Sequence, residues 1–291
     1  MRWLAGAVPV AVAVLVAAPA AAQTIPFADT EDATLSEIDV GEGDVHPVVS
    51  FDVRNGDYAR GAYDDDDAGF AQVPVHVSVG GAVVLARRRG GEASLFAIGQ
   101  SSNGFHAPRR DERTSPRAWY ESNTLVGIAW RPSQGVTAAT TYTIKASPNG
   151  VAGTTQEASL TFLYAAEDRI GRLQPRLAVT RRTQGNGGFY TIAGIAPSFD
   201  LSDDENGLSL SLPVTVGIGW NGFYGSDSGP RTYAGGGLSL ARPVAIGAAR
   251  ATLQAEIVGL LRDDRLRRLD APAGTSAALV PQGTVSLTMA W

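Results

Sequence analysis

Cysteine is missing from all 291 residues, and Lys145 is the only lysine beside a large excess of arginine. Without cysteine the chain has no disulfide scaffold and no thiol nucleophile. Histidine is scarce as well. His46, His76 and His106 lie far apart and show no His-x-x-x-His spacing, so a helix-borne zinc motif is excluded. The chain also lacks a Gly-x-Ser-x-Gly elbow. His106 has no nearby Ser-Asp constellation, and His76 reads as a packed or lumen-facing residue. The expectation is no enzyme and no cofactor. A net charge of −5 lacks the basic footprint of a nucleic-acid binder. Beyond residue 22 no apolar run approaches the roughly 20 residues of a membrane-crossing helix. The 34 glycines and 16 prolines argue against a helical protein of any kind.

The one long apolar run is at the start. Arg2 precedes the apolar stretch 4–18, Pro19 breaks it, and Ala20-Ala21-Ala22 offers a small-residue cleavage site. Residues 1–22 therefore read as a secretory signal peptide. Residues 23–44 are acidic and read as a poorly ordered or loosely attached lead-in. The remainder, 45–291, is expected to form one domain.

That remainder alternates. Successive side chains of a strand point to opposite faces, so alternation of apolar and polar residues marks a strand between two different surroundings. Twelve such runs lie near 45–54, 72–87, 91–101, 117–131, 136–147, 155–165, 172–183, 187–200, 207–220, 231–243, 249–262 and 280–291. In the ninth, Leu208, Leu210, Leu212, Val214, Val216, Ile218 and Trp220 share one face, and Ser209, Ser211, Thr215, Gly217 and Gly219 the other. In the seventh, Leu173, Leu177 and Val179 oppose Gln174, Arg176 and Thr180. Charges fall on the polar face, as a lipid-facing exterior demands, because Arg or Lys at mid-membrane costs about 2–4 kcal/mol. Short connections (88–90, 132–135, 166–171, 201–206, 244–248) interleave with longer ones (55–71, 102–116, 221–230, 263–279). The connections at 148–154 and 184–186 are short where a long one is due. A soluble β-sandwich also alternates, but its strands are shorter than these runs and its core wants bulky inward residues. The fold expected is all-β, an antiparallel transmembrane up-and-down β-barrel of about twelve strands.

The last run, PQGTVSLTMAW, sets Val285, Leu287, Met289 and Trp291 on one face. It resembles the closing strand of bacterial outer-membrane β-barrel proteins. That resemblance implies an assembly signal made of these four residues and read by the barrel-assembly machinery. The phrases YTIAGIAPSFDL (190–201), LSLSLPVTVGIGWNGFYG (208–225) and YAGGGLSLARPV (233–244) resemble consecutive hairpins of TorF-like porins. This implies an outer-membrane location and a channel role without naming a permeant.

In a porin-like passive channel for small solutes, inward charges set selectivity. The candidates are Glu121, Lys145, Glu157, Arg176, Arg182, Arg250 and Glu256. A non-conducting structural or surface-binding barrel is the alternative, since the same charges can pair and fill a narrow lumen. The Asp64-Asp65-Asp66-Asp67 run lacks calcium-loop spacing and reads as a solvated loop. Arg109-Arg110 and the group Arg262, Arg265, Arg267 and Arg268 fall on the long-loop side. There they face lipopolysaccharide phosphates or are balanced by neighbouring acids.

Overall fold

The computed structural model describes residues 24–26, 37–39, 43–63, 73–89, 93–108, 110, 112, 114–133, 135–185, 187–202, 207–220, 222–225, 229–247, 249–270 and 276–291. The signal-peptide segment 1–22 and the aspartate run at 64–67 lie outside them. Within the lead-in, Thr24–Pro26 pairs antiparallel with Glu37–Asp39.

The domain is a closed antiparallel barrel of twelve strands. In chain order they are β1 (Val45–Arg54), β2 (Val75–Arg87), β3 (Ala93–Phe105), β4 (Trp119–Ser133), β5 (Val136–Ala146) and β6 (Thr155–Tyr164). There follow β7 (Arg176–Gln184), β8 (Phe189–Ile195, resuming as Ser198–Asp200), β9 (Ser209–Ser211, resuming as Val214–Trp220), β10 (Arg231–Ile246), β11 (Ala249–Arg262) and β12 (Leu279–Ala290). Each pairs with its neighbours in sequence, and β12 closes the ring against β1 through pairs such as Leu287↔Phe51. Closure removes the free sheet edges that a sandwich would expose. The sandwich alternative is thereby excluded.

Local chemistry explains the departures from simple alternation. Pro197 interrupts β8 and Pro213 interrupts β9, because proline has no N–H to give a ladder. The register does not slip there: Ile195↔Val214 and Ser198↔Ser211 belong to one ladder, and Leu212 N–H donates to the Pro197 carbonyl. The seventh strand begins later than expected. Leu173 is not on its outer face but in a 3₁₀ turn, Gly171–Leu173, ended by Gln174 at φ 49°. One helix, α1 (Asp264–Asp270), lies in a connection expected to be irregular.

The two faces separate by solvent. One outward row of paired residues runs Trp130, Ala138, Phe162, Leu177, Ala193, Val216, Ala234, Leu261, Leu279 across nine strands without a charge. The bulky members of such rows are exposed: Ile257 is 68 % exposed, Val126 58 % and Leu238 56 %. Aromatic residues gather at the strand ends. Trp130 and Trp291 lie toward the tight turns, with Phe105, Trp119, Phe189 and Trp220 toward the longer loops. The inner face is polar or small apart from two apolar clusters, one of Ala82, Phe96, Ile98, Leu125, Ala129 and Ala139 on the β2–β5 wall and one around Tyr190, Tyr233, Val258 and Leu260 on the β8–β12 side.

Candidate functional site: the loop inside the barrel

After β1 the chain turns into the barrel rather than away from it. The Asn55 amide group hydrogen-bonds the Pro281 carbonyl at 3.2 Å, and its side-chain oxygen accepts from Gly283 N–H at 2.9 Å. These bonds tie the first connection, loop 1 (55–74), to β12. The sequence Tyr58-Ala59-Arg60-Gly61-Ala62-Tyr63 then folds on itself, with Tyr58–Ala59 pairing Ala62–Tyr63. Its two turn residues have positive φ, 53° at Arg60 and 76° at Gly61, as a tight two-residue hairpin requires. Glycine is needed at the second position, since a Cβ there would lie 2.6 Å from the Tyr233 ring. At the first, a left-handed arginine costs about 1–2 kcal/mol, which its side chain offsets by what it reaches.

Arg60 reaches Glu157 on β6. The two make a bidentate pair at 3.0 and 2.6 Å with Glu157 fully buried. Arg182 on β7 bonds the same carboxylate from the other side, at 3.2 and 3.3 Å. The Arg60 guanidinium also stacks 4.7 Å above Tyr190 and 5.0 Å above Phe223. Burial works against its charge, but the Glu157 carboxylate outweighs burial and raises the Arg60 pKa, so it stays cationic. The Tyr224 hydroxyl donates to the Arg60 carbonyl at 2.8 Å. Arg262 on β11 donates to the Gly61 carbonyl and lies 5.1 Å over Tyr58. Tyr58 itself is buried among Ala178, Tyr190, Phe223, Tyr233, Leu260 and Leu266, the last supplied by α1.

Loop 1 also touches the opposite wall. Asp57 accepts a 2.6 Å hydrogen bond from the Tyr120 hydroxyl on β4. His76 on β2 sits 2.6 Å from that hydroxyl and bonds Asp52 on β1 at 3.1 Å. Burial pushes the Asp57 carboxyl up. Hydrogen bonding and charge from His76, the charge of Arg54 and the Tyr120 hydroxyl outweigh burial and hold it below the usual carboxylate range. Loop 1 is therefore fastened to strands on both sides, and it crosses the lumen at its long-loop end.

The seven charges expected to line a pore do not form one ring. Glu157 and Arg182 meet in the Arg60 cluster. Lys145 stands diagonally from Glu157, which pairs with Thr143 on the same inner face of β5. Glu121, on the adjoining strand β4, stands diagonally from Lys145, which pairs with Asn123; Glu121 lies 3.6 Å from His76 and is hydrogen-bonded by Asn123. Arg176 bonds Gln174 at the tight-turn end of β7, and Arg250 is exposed at the same end of β11. Glu256 lies between, opposite Ser239 and Thr284. Arg262, read from sequence as a surface-loop arginine, is buried against loop 1, because its parity on β11 points it inward. Val285, Leu287, Met289 and Trp291 share the outward parity of β12, and Trp291 N–H donates to the Pro47 carbonyl at the seam. Sequence reading did not find Asp57, Tyr58 and Arg60. The near-palindrome YARGAY around one glycine was the available signal.

At the long-loop end, loops 2 (106–118) and 3 (147–154) are joined to each other through buried side chains. His106 bonds Glu112 at 2.5 Å, and Asn149 donates to the same carboxylate at 3.3 Å.

No protein-family model matches the chain, and no curated protein matches it. Among solved structures it is similar to a bacterial polysaccharide outer membrane secretin, at 11 % identity and a TM-score of 0.42, covering 87 % of this chain and 99 % of that one. It is also similar to OprB of Pseudomonas putida in a high-pH structure, at 9 % identity and a TM-score of 0.36, covering 86 % of this chain and 94 % of that one.

Proposed function

We propose that the chain is an outer-membrane protein acting as a narrow, porin-like passive channel for small solutes, with loop 1 setting its narrowest point. The observation that carries the membrane assignment is the uncharged, exposed apolar belt on a closed barrel whose inner face is polar. In water such a belt exposes far more contiguous apolar surface than a soluble monomer tolerates; in lipid it is the solvated face. Aromatic side chains at both strand ends fit the two membrane boundaries. Partners on this reading are lipid, lipopolysaccharide at the long-loop rim and the barrel-assembly machinery. No chemical step is assigned.

Conduction is supported by the tight-turn half of the lumen. There the inward residues Ser50, Ser209, Ser211, Gln254, Glu256 and Ser286 keep partial exposure, which marks a polar surface reached by water. Selectivity then rests on lumen width and on the charges flanking loop 1. The second reading, a non-conducting barrel, is favoured by the buried contacts of loop 1 with both walls. Planar-bilayer recording of the refolded mature chain decides between them. Stepwise openings support the channel; a folded barrel that stays silent supports the second reading.

A further inference from the structure

Where loop 1 meets the β2–β4 wall, three buried donors converge. Asp57 and His76 are fully buried and Glu121 nearly so, and one ligand atom from each lies within 4.8 Å of the others. His76 Nε2 is 3.6 Å from Asp57 Oδ2 and 3.6 Å from Glu121 Oε2. An ion held tetrahedrally by bonds of about 2.0–2.2 Å has ligand–ligand edges of about 3.3–3.6 Å, so these separations are those of a coordination sphere. The other ring nitrogen, Nδ1, bonds the Asp52 carboxylate at 3.1 Å. Such an outer carboxylate sets the tautomer in which Nε2 coordinates once it gives up its 2.6 Å hydrogen bond with Tyr120.

The charge balance points the same way. Asp52, Asp57 and Glu121 bring three negative charges, and Arg54, 2.7 Å from Asp52 and 3.8 Å from Asp57, returns one. Lys145, diagonal to Glu121 across the β4–β5 ladder, returns a second, so with a neutral imidazole the buried cluster carries −1, three minus two. Buried charge of this kind is paired or coordinates metal. Asp57 Oδ1 is buried and accepts no hydrogen bond. The Tyr120 hydroxyl, 2.6 Å from both His76 Nε2 and Asp57 Oδ2, is the hydrogen-bond partner that an ion between those two atoms displaces.

We propose that Asp57, His76 and Glu121 bind one divalent transition ion of the zinc type, which fastens loop 1 to the barrel wall. One imidazole and two carboxylates, with a fourth position for water, suit such an ion, whereas calcium wants six to eight oxygens. The ligands come from β2, β4 and the loop, so the ion joins the loop to the barrel only when the loop is inside.

The test is titration of the refolded, metal-free full mature chain in detergent, with Co²⁺ followed by visible absorption and Zn²⁺ by calorimetry. The expected result is stoichiometric binding, with four-coordinate Co²⁺ bands that Zn²⁺ abolishes. His76→Gln and Asp57→Asn should abolish the bands. Asp52→Asn should weaken binding about 10- to 100-fold, as loss of an outer partner does. His106→Gln should bind normally, because His106 packs against the Tyr120 ring but supplies no ligand. Heat-modifiable gel migration certifies that each variant is folded, and Asp57→Asn carries the test if His76→Gln is not. Folded wild-type chain that binds neither ion overturns the proposal and leaves a proton on His76 as the cluster's counter-charge. Loss of binding in His106→Gln with retention in His76→Gln overturns it equally. The titration needs no conduction, so a silent barrel leaves it standing.

Discussion

Glu157→Gln is the sharpest perturbation of the loop inside the barrel. The carboxylate is fully buried, and it accepts hydrogen bonds from two guanidinium groups, Arg60 on the loop and Arg182 on β7. Removing its charge while keeping its size leaves two cations facing a neutral amide. Breaking a buried pair by removing one partner costs about 3–5 kcal/mol. Arg182 keeps 17 % of its side chain in contact with solvent, so the lower end applies. About 3 kcal/mol is a factor of roughly 10² in the ratio of docked to released loop. The barrel ladder does not depend on this carboxylate, so the cost should fall on docking. Trypsin cleavage between Arg60 and Gly61 in the folded protein reads the released population directly when opening is fast relative to cleavage. Cleavage should accelerate about 10²-fold while heat-modifiable migration is unchanged, and single-channel conductance should rise. Wild-type protease resistance together with wild-type conductance in the folded variant would refute the view that this ion cluster holds the loop.

Three further outcomes are expected. Leu240→Arg, on the exposed outer face of β10, should lose about 2–4 kcal/mol and fold poorly in lipid. Ser209→Arg, on the inner face of β9, should fold normally; equal folding yields would contradict the facing of the strands. Gly217→Ala places a Cβ against the Tyr233 ring and 2.6 Å from the Tyr190 hydroxyl, so the aromatic cluster must shift. A loss of roughly 1–3 kcal/mol is expected in a urea titration. Asp168, in the turn after β6, is held below its ordinary pKa by the Tyr164 hydroxyl and then by the amides of Gly171 and Ile170. Its contribution to that turn is complete above the unfolded carboxylate value of about 3.9 and disappears as pH falls through the lower folded value. The Gly171 amide resonance, followed by NMR, should titrate below the normal carboxylate range and lose that titration in Asp168→Asn.

Strand number and facing were legible in the sequence because two solvents write them. A chain between lipid and a polar interior must alternate at every step, and Leu160, Phe162, Val214 and Val216 do so over whole strands. Strand ends were less legible. Leu173 continues the alternating pattern, yet Gln174 takes a left-handed backbone that no periodicity encodes. Helix α1 escaped because DRLRRLD is too short and too charged for a helical stripe to stand out; its Leu266 is buried in the cluster that also holds Tyr58 of loop 1 and Tyr233 of β10. The site was the least legible part. Glu157 and Arg182 were identifiable as inward charges, but their partner Arg60 lies 97 residues from Glu157. Nothing local to a loop says that it turns inward. Arg262 was misread for the same reason: a cluster of arginines looks like surface until one of them is placed on the inward parity of a strand.

The position of loop 1 in the chain has a temporal meaning. It is the first connection to be made, yet its docking partners are spread from β2 to β11, and Asn55 holds β12 across a separation of 228 residues. The pocket for Arg60 does not exist until β6, β7 and β8 stand side by side, and the clasp at Gly283 waits for the final strand. The earliest loop is thus among the last pieces to settle. Until then Arg60 lacks its Glu157 partner and Asp57 its Tyr120 partner, so the loop has nothing to settle against. The seam between β1 and β12 shuts directly beside this loop, so the same residues that narrow the lumen register that the ring is complete.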